Sequence, residues 1–444
     1  MKILLIQPFK DTALGRVSFP PVGLGYLATM IRRDGHTVNI LDCLKDVYSY
    51  DDLMWMVEEV APDLIGINVF SISVPYVQEM TKIIKRQMPG VIIVLGGPHI
   101  SSLSKKAMEC FPDADYFIQG EGEIPFRALC NGVMCSQMNE LYFCDNPDEY
   151  GIPAWDLIKP KEYFKYPNIL YESVPVFFSR GCPFSCTFCA AKVTSGQRLR
   201  RRSLDSIFEE LHLLQDKYEV KNFVIEDEGF GVAKDFIMQF CERARKEKLP
   251  GIFAMGTGMR LNIVDRELLA EMKATNFFKV IAVGIESGSQ RILDMIKKDL
   301  TVDMVREKVM LMDEMGFAPS GNFILGFPTE TKKEMQKSID LAFDLPIREV
   351  SFTAYQPLPG TELTNKLLED GDLPKDFDFS MIVPNSIVYA PRGMTCKELE
   401  WIRKKAILKW HLLPRNLWWY LRSLKKLKFA IIKFITIFLR RNAK

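Results

Sequence analysis

The sequence predicts an α/β protein: a doubly wound, Rossmann-like domain, then a partial (β/α)6 barrel, then a helical C-terminal tail. Three observations carry this expectation. Short apolar runs alternate with helical patterns from residue 2 to residue 131. The alternation fails from about Cys135 to Tyr171 and restarts at Pro175 for six strand–helix repeats. The chain has 444 residues, 48% of them hydrophobic, which is globular in composition and too long for one ordinary core. The expected units are a first domain over 1–135, a linker over 136–174, a barrel over 175–370, a helical segment over 371–413 and a basic amphipathic tail over 414–444.

In the first unit, Lys2–Ile6, Thr37–Leu41, Leu64–Val69, Val91–Leu95 and Asp115–Ile118 read as strands. Gly23–Arg33, Asp51–Val60, Pro75–Gln87 and Glu123–Asn131 read as the helices between them. Strands of near-continuous apolar character imply a parallel sheet covered on both faces. Ligands of such sheets lie beyond the carboxyl ends of the strands. The loops there are Asn68-Val69-Phe70-Ser71, Gly96-Gly97-Pro98-His99 and Gly120-Glu121-Gly122-Glu123, where glycine lets backbone approach a ligand closely. Pro147, Pro153, Pro160 and Pro167 with several charges mark the linker.

Val176–Ser179, Asn222–Glu226, Gly251–Gly256, Val280–Ile285, Ser320–Leu325 and Val350–Tyr355 read as barrel strands, so the active site is expected at their C-terminal ends. Thr395-Cys-Lys-Glu398 has the spacing of a capping box, so a helix should begin near Cys396 and end at Pro414. A second helix is expected from about Leu417 to Arg441.

Lys2–Ile6 runs straight into Gln7-Pro8, too short an apolar stretch for a signal peptide, so a cytoplasmic location is expected. Ten cysteines then read as thiols, metal ligands or catalytic groups rather than a disulfide framework. The formal net charge of +2 hides an asymmetry: Trp401 to Lys444 holds 13 basic residues and no acid. An acidic body with a basic tail speaks to partners rather than to fold.

One constellation stands out. Arg180-Gly181-Cys182-Pro-Phe-Ser-Cys186-Thr-Phe-Cys189 follows directly on a predicted strand. Thiolates are soft ligands suited to iron–sulfur clusters, and three of them leave one iron of a cubane open to chelate a substrate. The competing readings are chance clustering and a zinc knuckle. A structural zinc wants a fourth Cys or His nearby, and the nearest downstream candidate is His212, inside a predicted helix.

This triplet on the first loop of a β/α barrel resembles the radical S-adenosylmethionine superfamily. So do Ile225-Glu-Asp-Glu-Gly-Phe230, Gly258-Met-Arg260, Val283-Gly-Ile-Glu286-Ser-Gly-Ser-Gln290, Phe323-Ile-Leu-Gly326-Phe-Pro-Thr-Glu-Thr331 and Pro357-Leu-Pro-Gly-Thr361 at the successive strand ends. Pro20-Pro21-Val-Gly23-Leu-Gly-Tyr-Leu-Ala28 with Gly35-His36 and the first-domain glycine loops resembles the cobalamin-binding domain of the B12-dependent branch. The resemblance implies three cofactors: a [4Fe–4S] cluster, S-adenosyl-L-methionine and cobalamin. It implies Cys182, Cys186 and Cys189 as iron ligands and Phe188 against the adenine, with barrel packing as the plainer role for Phe188. Glu286, Ser287 and Gly288 look like cofactor-contacting positions, against a solvated strand-end carboxylate. Asp227 and Glu228 are the candidate catalytic carboxylates, against simple exposure. Arg260 could pair with a cofactor carboxylate or serve a structural ion pair. Ser71, Gly96, Gly97, His99, Gly120 and Glu121 are the candidate cobalamin-side residues. The Asp-x-His-x-x-Gly cobalt-ligand motif of classical B12 enzymes is absent, so His99 is expected beside the corrin rather than on cobalt. Arg198–Arg202 reads as a solvated charge run.

The resemblance implies radical methylation of an unactivated carbon of a small-molecule or lipid-like substrate. Alternatives are a radical cyclase or rearrangement enzyme, a transfer-RNA methylthiotransferase and a non-enzymatic cobalamin sensor. An electron donor of the flavodoxin or ferredoxin class is implied as partner. Leu417, Leu421, Leu424, Leu427, Ile431, Ile435 and Phe438 form an apolar helical stripe with lysines and arginines largely opposite and Trp418-Trp419-Tyr420 at one end. That pattern suits a helix lying on a membrane surface, against packing on the barrel or a nucleic-acid patch.

Overall fold

The computed structural model describes residues 1–8, 19–47, 49–133, 140–165, 172–278, 280–383 and 386–421. Five parallel strands, β1 (Lys2–Gln7), β2 (Thr37–Asp42), β3 (Leu64–Asn68), β4 (Ile92–Gly96) and β5 (Tyr116–Phe117), form the first sheet in the order β2-β1-β3-β4-β5. This doubly wound order places its topological switch point between β1 and β3. Alternate residues of β1 explain the unbroken apolar runs. Ile3 and Leu5 pack under helices Val22–Arg32 and Glu123–Cys130, whereas Leu4 and Ile6 pack under Tyr50–Val60 and Val74–Gln87.

Two elements of this domain differ from expectation. The loop after β4 winds into helix Pro98–Leu103, with Pro98 in its first turn, where a missing N–H costs nothing. In the segment expected to be a linker, the described residues 140–165 are instead packed. Tyr150, Trp155, Ile158 and Tyr163 are buried. Trp155 Nε1 donates to Glu210 at 3.0 Å, Tyr163 Oη to Asp42 at 2.8 Å, and Tyr142 bridges in parallel to Gly120. Its prolines break periodicity, but its aromatic rings fill the seam between the domains.

The second domain holds β6 (Ser173–Val176), β7 (Ser179–Arg180), β8 (Arg200–Arg201), β9 (Asn222–Ile225), β10 (Ile252–Met255), β11 (Val280–Glu286), β12 (Ala318–Leu325) and β13 (Glu349–Ala354). β6, β9 and β10 form one parallel sheet and β11, β12 and β13 another. A parallel bridge between Met259 and Val283 joins them into a sequential six-stranded arc, the expected open barrel. The first expected strand is split: β6 ends at Val176, and β7 turns off to pair antiparallel with β8. Ser203, Asp265, Thr301, Thr331 and Thr361 each cap the helix that follows through the N3 amide.

The capping box forms as expected, with Thr395 and Glu398 reciprocally bonded at the start of helix Cys396–His411. Pro414 does more than end that helix, because it opens the next one, Pro414–Leu421. Most of the amphipathic tail, residues 422–444, lies outside the described residues.

Candidate functional site

The cysteine loop begins at Gly181, whose φ of +84° and close neighbours exclude a side chain: a Cβ there would lie 2.3 Å from the Arg198 carbonyl. Its backbone is tied down on three sides. Cys182 N donates to Gly196 O at 3.1 Å, Thr187 N to Ile296 O at 3.1 Å, and Leu363 N to Thr187 O at 2.9 Å. Cys182 and Cys186 are half-buried and Cys189 is exposed. Burial, and then the neighbouring cysteines in their thiolate form, push the Cys182 and Cys189 thiols up. Among the described residues no three His, Cys, Asp or Glu side chains converge on one ion. Three coupled thiols spread along one fixed loop fit a cluster that offers each of them its own iron.

Phe188 packs edge-on against Phe327 at 5.5 Å, and Phe327 lies 5.5 Å from Tyr355. Glu330 shapes that turn, accepting from the Gly326 and Phe327 amides at 2.7 and 3.1 Å; burial pushes its carboxyl up to about 8. Glu330 was not singled out in the sequence, where nothing distinguishes its glutamate from surface ones.

Of the strand-end carboxylates, Asp227 is buried and accepts from Phe178 N at 2.8 Å and Ser179 Oγ at 2.6 Å. Burial raises it to about 7 against those hydrogen bonds. It therefore clasps the chain that leads into the cysteine loop. Glu228 accepts from Ser195 Oγ, leaves Oε2 buried without a partner, and lies within electrostatic reach of Cys182. Glu226, which the sequence reading passed over, is raised to about 7 by burial and by Glu228.

Glu286 ends β11 with a φ of +67° and pairs with buried Lys298 at 2.6 Å. Ser287 Oγ lies 3.2 Å from Ser338 Oγ, which also accepts from Gly288 N at 2.8 Å. A Cβ at Gly288 would lie 2.5 Å from the Lys337 carbonyl. Ser287 and Gly288 thus hold the strand end onto helix Lys332–Asp344.

On the first domain, Ser71 Oγ and His99 Nδ1 lie 3.0 Å apart. His99 is buried edge-on against Phe111, with Nε2 unpartnered, and burial lowers its pKa to about 4, so the ring is neutral at physiological pH. Gly96 has room, whereas a Cβ at Gly97 would strike Asn68 Oδ1 at 2.1 Å and one at Gly120 would strike the Tyr142 carbonyl at 2.3 Å. The close approaches anticipated at Gly97 and Gly120 are made by the chain itself. A tetrapyrrole beyond these strand ends would meet His99 enclosed with Ser71 on one nitrogen. The His99→Ala protein is therefore expected to bind cobalamin with the base-off absorption spectrum of the unaltered protein. A change of axial-ligand spectrum would place His99 on cobalt.

Glu121 is the centre of a buried ionic clamp between the domains. It takes Arg200 Nη1 at 2.6 Å, Tyr150 Oη at 2.7 Å, Cys144 N at 2.8 Å and Arg180 at 3.5 Å. Glu123 pairs with Arg180 at 2.7 Å, and the Arg180 guanidinium stacks between Tyr26 and Tyr150 at 5.1 and 4.7 Å. The charge run Arg198–Arg202 is thus not uniformly solvated: Arg200 and Arg202 are buried, and Arg202 pairs with Glu210. The signal was the two-residue alternation of a strand over Arg200, Arg201 and Arg202, with Arg201 outside, whereas Arg198 precedes the strand and is exposed beside Asp145. Farther along the seam, helix Pro98–Leu103 of the first domain packs on Ala191–Thr194 just after the cysteine loop. A Cβ on Gly360, after β13, would sit 2.7 Å from the Ser102 carbonyl. The open ends of both sheets therefore meet at one seam.

Residues 15–130 match the family of B12 binding domains and residues 176–342 the radical SAM superfamily. An uncharacterized methyltransferase of Pyrococcus horikoshii is 30% identical over 94% of each chain. The anaerobic magnesium-protoporphyrin IX monomethyl ester cyclase of Cereibacter sphaeroides is 25% identical over 90% of this chain and 68% of its own. The solved structure of the radical S-adenosylmethionine methyltransferase TsrM from Kitasatospora setae, with cobalamin and [4Fe–4S] cluster bound, shares the fold. Its TM-score is 0.70 at 18% identity, over 88% of this chain and 83% of that one.

Proposed function

Because the chain belongs to the cobalamin-dependent branch of the radical S-adenosylmethionine superfamily, with [4Fe–4S] cluster, S-adenosylmethionine and cobalamin as its cofactors, we propose that it is a methyltransferase acting on an unactivated carbon of a small-molecule or lipid-like substrate. The observation that carries the proposal is the seam: the loop after β5 is locked to the strands flanking the cysteine loop through Glu121, Arg180 and Arg200, and helix Pro98–Leu103 after β4 packs on Ala191–Thr194. When bound, the cluster with S-adenosylmethionine supplies a deoxyadenosyl radical, and cobalamin supplies a transferable methyl group. The protein's part is to hold the donors and exclude water between them.

Cys182, Cys186 and Cys189 hold the cluster, with Phe188 and the strand-end residues Glu228 and Glu286 lining its approach. Ser71, Gly96 and His99 flank the opposite wall. Glu226 and Glu228 are the carboxylates placed to bind or orient substrate, while Asp227 positions the loop. An electron donor of the flavodoxin or ferredoxin class serves the cluster.

The test is isotopic. Reconstituted protein is incubated anaerobically with polar and lipid extracts and with S-adenosylmethionine bearing a deuterated methyl group. A product carrying the labelled methyl supports methyl transfer. Deoxyadenosine formed with an altered but unlabelled product would support instead the cyclase or rearrangement reading, and the Cereibacter relative favours a cyclase.

The lipid-like half of the substrate class rests on the tail. Thirteen basic residues and no acid follow Glu400, with an apolar stripe that Leu417 opens. Each Lys or Arg beside anionic lipid contributes on the order of 1 kcal/mol. Among the described residues no helix is long and apolar enough to cross a membrane. Full-length protein should pellet with anionic vesicles and much less with neutral ones, and a chain ending at Pro414 should not pellet. Equal pelleting of the two chains would exclude the tail as anchor.

A further inference from the structure

The loop after β10 carries a cation to the cysteine loop. Met259 N donates to Ala282 O at 2.7 Å and fixes the backbone. From there Arg260, with its side chain only 11% exposed, reaches across the barrel mouth. Its guanidinium lies 3.5 Å from the centroid of the Phe184 ring. Nη1 donates to Cys186 Sγ at 3.2 Å, and Nη2 donates to the Lys298 carbonyl. Stacking and two directed bonds leave the group one orientation, which suits a planar fork and not an ammonium.

The charge is also poorly balanced. Lys298, whose charge also reaches Cys189, is neutralised by Glu286 at 2.6 Å. The carboxylate nearest Arg260 is Asp299, 3.9 Å away and 65% exposed, so water weakens that pairing.

We infer that Arg260 sets the reduction potential of the cluster by donating a charge-assisted hydrogen bond to the sulfur of Cys186. Reduction adds one negative charge to an assembly that three thiolates already make anionic. A fixed cation on a ligand sulfur stabilises the reduced form over the oxidised form and raises the potential. Arg260 touches a cluster ligand rather than the substrate, so it is a positioning and tuning residue. The inference rests on the cluster at Cys182, Cys186 and Cys189 and is independent of which group is transferred.

The experiment uses the full chain, reconstituted anaerobically, beside the Arg260→Met and Arg260→Lys variants. Iron and sulfide are measured first, and they report on the cluster assignment itself. Midpoint potentials then come from mediated redox titration followed by electron paramagnetic resonance, without S-adenosylmethionine. The Arg260→Met midpoint should fall below that of the unaltered protein, and the Arg260→Lys midpoint should fall less. A full cluster with an unchanged midpoint in Arg260→Met would overturn the inference. If Arg260→Met fails to hold iron, Arg260→Lys decides: a fall supports the inference and an unchanged midpoint overturns it.

Discussion

Replacing any one of Cys182, Cys186 or Cys189 by alanine is expected to remove the cluster and all deoxyadenosine production. Unaltered protein should take up about four irons per chain. The effect should be complete because the described residues offer the site no spare thiol. Among the described residues, Cys43, Cys130, Cys144 and Cys241 are buried, and Cys110 and Cys396 lie on other elements. The backbone bonds that pin the loop to Gly196, Ile296 and Leu363 survive each substitution, which removes only that thiol's own contacts, such as the Arg260 bond to Cys186 Sγ. Loss of function should therefore come with an unchanged circular dichroism spectrum and melting curve in the iron-free state. Deoxyadenosine formation surviving in any of the three variants would sink the ligand assignment.

The largest loss of stability should follow Glu121→Ala. Removing one partner of a buried ion pair costs about 3–5 kcal/mol, because the other charge stays buried and unpaired. Here Arg200, with its side chain 3% exposed, loses its carboxylate, and Arg180 keeps only Glu123. Tyr150 Oη and Cys144 N lose an acceptor as well. Urea denaturation should show the loss directly, and the Glu121→Ala/Arg200→Ala pair should lose less than the sum of the single variants. The acid limb follows in sign. Burial alone would raise the Glu121 pKa, but Arg180, Arg200 and the Tyr150 hydroxyl outweigh it and hold the carboxyl below its ordinary 4.5. Its contribution is therefore full above that value and lost as pH falls below it, and the Glu121→Ala protein should lack that part of the acid sensitivity. A Glu121→Ala midpoint equal to that of the unaltered chain would mean that the clamp contributes nothing.

Local chemistry was legible in the sequence and distant pairing was not. The strands of the first sheet could be read because Ile3 to Ile6 are apolar on both faces, a property of the residues themselves. The cysteine triplet could be read because its ligands lie within one loop. Glu121 was read only as a cobalamin-side residue and its ion pair could not be seen, since its partner Arg200 is 79 residues away and lay in a run read as solvated. Gly97 and Gly120 announced their positive φ but not what would press against them. Ser287 and Gly288 announced a strand end, and only the packing showed that Ser338 holds it. The connector misled for a physical reason: prolines and charges set its average character, whereas three aromatic rings set its position.

Those rings have a consequence for how such a protein can be assembled from parts. The two matched regions stop at residue 130 and resume at residue 176, and Tyr150, Trp155 and Tyr163 all fall in the gap. A genetic exchange that joins the two matched regions without the residues between them would bring in a cobalamin domain without the rings that seat it. Glu121 would lose Tyr150, Asp42 would lose the Tyr163 hydroxyl, and Glu210 in the barrel would lose the Trp155 indole. The inheritable module is therefore the first domain together with its connector, and an exchange that respects only the two catalytic folds would yield halves that cannot dock.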